Sequence, residues 1–106
     1  GPWGIDVSGD GSQVYVGEYT ANRVRQINAL TGAVTTLAGK YSVASYRDGI
    51  GTHARFYMPR QLALAGGVLY VADAGNRCVR QVDVQTQQVG TAAGVAGRYG
   101  SSDGTA

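Results

Sequence analysis

The sequence has one cysteine and one histidine in 106 residues, and each scarcity excludes a class of site. With Cys78 alone, no disulfide can form within the chain, and we expect this thiol to be a small buried apolar group. With His53 alone, one chain cannot supply a metal site built of several histidines. A Cys–His nucleophile is also unsupported, because Cys78 has no histidine near it in sequence. The sequence therefore predicts a non-catalytic chain that needs no cofactor.

Charge and long apolar runs are also scarce. Nine basic and seven acidic residues leave a net charge of +2, which by itself does not predict a nucleic acid or an anionic membrane as partner. No apolar run approaches the ~18 residues of a membrane-spanning helix, so we expect no membrane contact. Leu, Ile, Val and Phe make up about a fifth of the chain, which allows only a modest core.

Glycine is abundant, with 17 residues, and it recurs because the chain is a duplication. Residues 12–51 laid over residues 67–106 are identical at 12 of 40 positions. The matches include Tyr-Val at 15–16 and 70–71, and Val-Arg-Gln at 24–26 and 79–81. The repeating unit is therefore about 55 residues long, and the search for such a unit decides the fold.

Each unit is expected to form four short strands, because Val, Ile, Tyr and Thr fill runs that Gly- and Asp-rich turns separate. The predicted strands span residues 4–7, 13–18, 23–28 and 33–37 in the first unit, and 61–64, 68–73, 78–83 and 89–93 in the second. The second strand of each unit is apolar on both faces, which indicates a sheet packed between two others. The third strands break the alternation, through either a bulge or a buried, hydrogen-bonded glutamine.

Several of these runs resemble the NHL-repeat family. The clearest is Val-Leu-Tyr-Val-Ala-Asp-Ala-Gly-Asn-Arg-Cys-Val-Arg-Gln-Val-Asp at 68–83, and the runs at 2–7, 14–18, 22–28, 35–39 and 48–59 extend the resemblance over nearly the whole chain. Two positions depart from the family pattern: Glu18 stands for the usual Asp, and Gln61 for the usual Gly.

The resemblance implies an all-β fold of β-propeller blades: two four-stranded antiparallel meander sheets that are part of a larger or oligomer-assembled propeller. The expected division is residues 1–39 for blade 1, 40–58 for the inter-blade linker, 59–94 for blade 2 and 95–106 for the start of the next linker. Because propellers use about four to eight blades, two blades leave faces uncovered. We expect either self-association, in which three copies would give six blades, or packing on the remaining blades of a longer parent chain.

One rim of such blades is the expected interaction surface. In a four-stranded meander, the turns between strands two and three lie on the same rim as the blade linkers, and long loops often carry function. The rim predicted here is basic and aromatic. Its candidate residues are Tyr19, Asn22, Lys40, Tyr41, Tyr46, Arg47, Arg55, Tyr57, Asn76, Arg77, Arg98 and Tyr99. We expect structural roles for Phe56, between the blades, and for Arg25 and Arg80, which recur at matching positions.

Three functions are consistent with the sequence. The first is a non-catalytic scaffold that binds a protein or peptide through the rim. The second, which the resemblance makes possible, is binding of single-stranded RNA on the same basic, aromatic surface. The third is a piece of a propeller lyase or lactonase with a metal in its central channel, where Asp6 is the only acid on the first strands.

Overall fold

A computed structural model describes residues 2–94, which form nine strands and two single-turn 3-10 helices. The strands are β1 (Pro2–Val7), β2 (Gln13–Glu18), β3 (Arg23–Asn28), β4 (Val34–Gly39), β5 (Gly49–Ile50), β6 (Pro59–Ala65), β7 (Val68–Asp73), β8 (Cys78–Asp83) and β9 (Gln88–Ala93). The 3-10 helices span Gly51–His53 and Ala74–Asn76. No helix of the described residues is long and apolar enough to cross a bilayer. The all-β prediction is confirmed.

The strands form two antiparallel sheets, one for each blade. The first has the order β1-β2-β3-β4, and the second has the order β5-β9-β8-β7-β6. The second sheet thus gains a fifth strand that the sequence did not predict. This strand comes from the linker, whose Gly49 pairs with Val89 and Ile50 with Gln88, because the linker runs along the outermost strand of blade 2.

The third strands contain the bulge that the sequence left open. The register between β3 and β4 shifts at Val24/Arg25, and the register between β8 and β9 shifts at the matching Val79/Arg80. A bulge changes the face on which the following side chain lies. In the second blade it accompanies a fully buried arginine, Arg80.

The core lies between the two sheets. Blade 2 contributes an apolar face of Leu69, Val71, Val82 and Val89, all fully buried. Blade 1 contributes Tyr15, Val24, Leu37 and Ala38, and the linker adds Ala54 and Phe56. The expected position of Phe56 between the blades is confirmed, since its ring is fully buried within this cluster.

Two glycines of blade 1 allow the blades to approach at their inner strands. Gly4 and Gly17 are paired across β1 and β2, and the backbone of β6 lies directly on them. A Cβ built on Gly4 would be 2.2 Å from the carbonyl oxygen of Arg60, and one built on Gly17 would be 2.9 Å from the same atom. Real Cβ atoms do not approach a carbonyl oxygen so closely, so both positions require glycine while blade 2 packs in this way.

We expect Gly4→Ala to destabilise the chain by about 1–3 kcal/mol, because the methyl group would push β6 away from blade 1. The measurement is the free energy of unfolding in urea. Gly9→Ala is the matched control, since a Cβ there meets no atom within 4 Å. An equal effect of the two substitutions would contradict this account of the blade contact.

Candidate interaction rim

The rim joins the linker to the turns between the second and third strands of both blades. The amide of Gly75 donates to the carbonyl of Tyr57 at 2.7 Å, and the amide of Met58 donates to Asn22 Oδ1 at 2.8 Å. The amide of Ser42 donates to the carbonyl of Ala21 at 2.8 Å. These bonds gather the turns and the linker on one rim, as the meander topology predicts.

Arg80 is the centre of the contact between linker and blade 2. Its side chain is fully buried. Nη1 donates to Asp73 Oδ2 at 2.9 Å and to the carbonyl of Arg55 at 2.8 Å. Nη2 donates to Asp48 Oδ1 at 2.7 Å and to the carbonyl of Arg47 at 2.8 Å. One guanidinium therefore holds three linker residues against the blade, which is the structural role expected for Arg80.

Two linker rings complete the surroundings of this guanidinium. The Cζ of Arg80 lies 4.6 Å from the ring centroid of Tyr46 and 5.0 Å from that of Phe56, within the range of a cation–π contact. The Tyr46 hydroxyl also shares a hydrogen bond of 2.7 Å with Thr91 Oγ1. Tyr46, a predicted rim residue, thus helps to hold the linker against blade 2.

Burial raises the pKa of Asp73 above its usual value, and hydrogen bonds oppose that rise. The carboxylate accepts from Asn76 Nδ2 at 2.8 Å, from the amide of Tyr57 at 2.8 Å and from Arg80. Buried carboxylates are costly unless such partners compensate for the lost water. Each of Asp73 and Arg80 can therefore be buried because the other compensates its charge.

Four other predicted rim residues also have structural partners. Asn22 has a positive φ of 59° and accepts from the linker, and Asn76 donates to the carbonyl of Ser45 at 2.9 Å. The Tyr57 ring covers Gly75, where a Cβ would be 2.5 Å from the ring. The Tyr19 ring lies under the guanidinium of Arg60, with Cζ 5.2 Å from the ring centroid.

Three predicted residues, Lys40, Tyr41 and Arg55, meet in one cleft of about 390 Å³. The full lining of this basic cleft is Arg23, Thr36, Gly39, Lys40, Tyr41, Thr52, His53 and Arg55. Arg23 and His53 were not among the predicted rim residues. Position alone could have indicated Arg23, since it directly follows the rim turn that ends at Asn22.

The cleft's cations are held in different ways. Arg23 forms an ion pair with Glu18, and its Cζ lies 4.7 Å above the Tyr41 ring. Arg55 donates to the carbonyls of Thr52 and Ala54. Lys40 is exposed at the edge of the cleft. The surface therefore presents fixed guanidinium groups beside an exposed ammonium group and a ring that is 64% exposed.

The remaining predicted residues lie apart from the cleft or outside the described part of the chain. Arg47 is exposed on the linker, and its main chain pairs with that of Arg55. Arg77 is exposed at the end of the second 3-10 helix. Arg98 and Tyr99, with the whole expected linker 95–106, lie outside the described residues.

Asp6, the acid on which the channel-metal hypothesis rests, is used within the fold. Its Oδ2 accepts from the amide of Leu64 at 2.7 Å, and its Oδ1 accepts from the amide of Val7 at 2.8 Å. These bonds, first that from Leu64, lower the pKa of Asp6. Asp6 therefore ties the innermost strands of the two blades together. Within residues 2–94, no group of three His, Cys, Asp or Glu side chains could hold a metal ion.

Comparison with known proteins places this geometry. No family model matches the chain. It is 35% identical over 49 residues to human NHL repeat-containing protein 2, an alignment that covers 46% of this chain and 7% of the relative. It is 28% identical over an alignment of 111 residues to the protein SUPPRESSOR OF QUENCHING 1, chloroplastic, of Arabidopsis thaliana, which covers 97% of this chain and 10% of that protein.

A solved structure agrees with the blade geometry described above. An auxiliary nutrient binding protein from Bacteroides thetaiotaomicron superposes with a TM-score of 0.72 over 90% of this chain and 27% of its own, at 21% identity. The chain consists of β-propeller blades, and its sequence is similar to that of an NHL repeat-containing protein. The chain spans no more than a tenth of the length of these curated relatives.

We expect Cys78 to be almost inert towards iodoacetamide at pH 8. Its thiol is buried, and burial raises its pKa to about 11, so the reactive thiolate is about 100-fold rarer than for an ordinary thiol. Alkylation followed by mass spectrometry measures the rate, with the guanidinium-unfolded chain as control. Equal rates in the folded and unfolded chains would contradict the buried position of Cys78.

We expect Asp73→Asn to lower the free energy of unfolding by about 3 kcal/mol, since it removes one partner of a buried ion pair. Asp48→Asn is the matched control, because the Asp48 side chain is 48% exposed and surface ion pairs contribute no more than about 1 kcal/mol. Urea unfolding of both variants gives the comparison. A larger loss for Asp48→Asn than for Asp73→Asn would show that the buried pair is not the main restraint.

Proposed function

We propose that this propeller module is a non-catalytic scaffold that binds an acidic segment of a protein through the basic cleft of its rim. The observation that carries the proposal is the convergence of Arg23, Lys40 and Arg55 with an exposed tyrosine in one concave surface. The positive charge of the cleft exceeds the negative charge paired with it, since Glu18 is the one acid that pairs with a cleft cation among the described ion pairs. Carboxylates, like phosphates, are ligands that such an arrangement of guanidinium and ammonium groups favours.

The arrangement of the rings favours a peptide over single-stranded RNA. Proteins that bind single strands stack successive bases on successive free aromatic faces. Here the rings of Tyr41 and Tyr46 each have a guanidinium on one face, and the ring of Tyr57 covers Gly75. One exposed ring beside the cleft suits a single side-chain contact with a peptide. RNA binding remains the second candidate, supported by the same cations.

The scaffold role also agrees with how the rim is built. The linker that forms the cleft is fixed at Arg80, at Asn22 and at Asn76, so the main chain that carries the binding groups is held in place before a ligand arrives. Such preorganisation reduces the entropic cost of binding. We propose both that the partner is a protein and that these blades pack on further blades or on further copies of the chain.

We expect a fluorescein-labelled peptide rich in Asp and Glu to bind the chain, and Lys40→Gln to weaken that binding about 3-fold, as for loss of a surface ion pair. The weakening shrinks at higher salt because surface charges are then screened. Fluorescence anisotropy at low and moderate salt measures both effects.

The control variant is Gln85→Glu, which also lowers the net charge by one but lies at an exposed turn after β8. The control peptide carries Asn and Gln in place of Asp and Glu. Equal weakening by Lys40→Gln and Gln85→Glu would reduce the effect to net charge and contradict the cleft. Tighter, Lys40-dependent binding of single-stranded RNA would favour the second candidate instead.

A further inference from the structure

The sheet face of blade 1 that points away from blade 2 repeats the packed face of blade 2 residue by residue. In the packed face, Leu69, Val71, Val82 and Val89 are all fully buried. The internal repeat and the strand registers give the counterparts of the packed positions in blade 1. We call them the outer face of blade 1: Ile5, Val7, Val14, Val16, Ile27 and Val34.

This outer face is apolar and open among the described residues. Ile5 is 65% exposed, Val34 50% and Val7 46%, whereas their counterparts Leu62, Val89 and Leu64 pack in or against the core. Contiguous exposed apolar surface of this kind marks a contact with another protein surface. The duplicated sequence therefore presents two copies of the same apolar face, of which the one in blade 2 is covered and the one in blade 1 is exposed.

The polar residues of the packed face are repeated too. Arg25 lies opposite Val16 and Thr36, as Arg80 lies opposite Val71 and Thr91. Each arginine has an acid on the neighbouring strand of its own blade, Glu18 for Arg25 and Asp73 for Arg80.

The two arginines differ in what else they contact. Arg80 has three partners from the linker, whereas the contacts of Arg25 within residues 2–94 stay in its own blade. Its Nε donates to the carbonyl of Thr35 at 3.3 Å, and its Nη1 lies 3.7 Å from Glu18 Oε1. The Arg25 side chain is 20% exposed, against none for Arg80.

We propose that Arg25 is a docking site for a further propeller blade, and that its guanidinium binds an Asp-Gly segment of that blade's linker. The occupied site shows the chemistry that the segment needs. It must offer a carboxylate in the position of Asp48, two main-chain carbonyls in the positions of those of Arg47 and Arg55, and an apolar ring for the space that Phe56 fills.

The incoming blade must also carry glycine on its inner strands, as blade 1 does at Gly4 and Gly17. Blade 2 of a second copy of this chain lacks that feature, because Gln61 and Ala72 stand at the corresponding positions. Their Cβ atoms would lie where a Cβ comes within 2.2 and 2.9 Å of a carbonyl oxygen in the observed blade contact. A blade of the blade 1 type, rather than blade 2 of another copy, is therefore the occupant.

A fusion protein tests this docking. It carries residues 1–58 as an added blade and linker, followed by residues 2–106, so that Pro2 follows Met58 as Pro59 does in the natural chain. The added linker then reaches the resident Arg25. Neighbouring blades stabilise each other through their shared interface, so the fusion protein should unfold at a higher urea concentration than the chain itself.

The decisive comparison is the same substitution at two places in one protein. Arg25→Ala in the resident blade should raise the unfolding equilibrium constant about 30-fold, as expected for loss of buried hydrogen bonds to a charged group. Arg25→Ala in the added blade, whose outer face is uncovered, should change it no more than about 3-fold. If the first variant does not fold, Asp48→Asn in the added linker is the milder substitution and should destabilise in the same direction.

Two results would overturn the proposal. One is an equal effect of Arg25→Ala at both places, which would mean that no linker reaches the resident arginine. The other is Arg25-dependent self-association of the 106-residue chain in light scattering, which would make a second copy the occupant. Because Lys40→Gln tests the rim and Arg25→Ala tests this face, either proposal can fail while the other stands.

Discussion

The rest of this structure depends on one buried guanidinium. Arg80 lies in an apolar interior between two sheets, where an unpaired charge would be prohibitively costly. Asp73 from its own blade balances the charge, and Asp48 and two main-chain carbonyls of the linker accept the other hydrogen bonds from Nη1 and Nη2. The arginine can be buried only if the linker is in place, and its hydrogen bonds in turn help to fix the path of the linker.

That mutual dependence explains how the linker is held in a fixed path along the rim. A connection of the length of residues 40–58 would ordinarily lose much conformational entropy on folding. Here it is fixed at four places: at Arg80, at the turn of each blade, and by the pairing of Gly49–Ile50 with β9. The side chains on its outward surface, Lys40, Tyr41 and Arg55, inherit their positions from these anchors. The same linker segment thus contacts the structural Arg80 on its inward surface and lines the candidate binding cleft on its outward surface.

The duplication gives the chain an internal comparison. Both copies carry the arginine, the acid and the threonine at matching register positions, but within residues 2–94 only the second copy is covered by a linker. Exposure follows coverage: the apolar face is buried in blade 2 and open in blade 1. The same side chains can therefore be core or surface, according to what packs on them.

The sequence by itself determined the blades. The strands β2, β3, β7 and β8 match their predicted bounds, since local residue preferences and turn glycines mark their ends. The shared rim also follows from chain order, because successive turns of a meander alternate between the two ends of the sheet. The repeat of Val-Arg-Gln likewise predicted that the two third strands have the same local structure, and both do contain a bulge.

Only the tertiary structure decided what each rim residue does. Tyr41 and Tyr46 are alike in sequence terms, yet one lines the basic cleft and the other is stacked on Arg80. Arg23 joined the cleft although it belongs to a strand, and Arg25 and Arg80 differ although their sequence surroundings match. The physical reason is that sequence sets local conformation over a few residues, whereas burial and charge pairing depend on segments distant in the chain that happen to pack there.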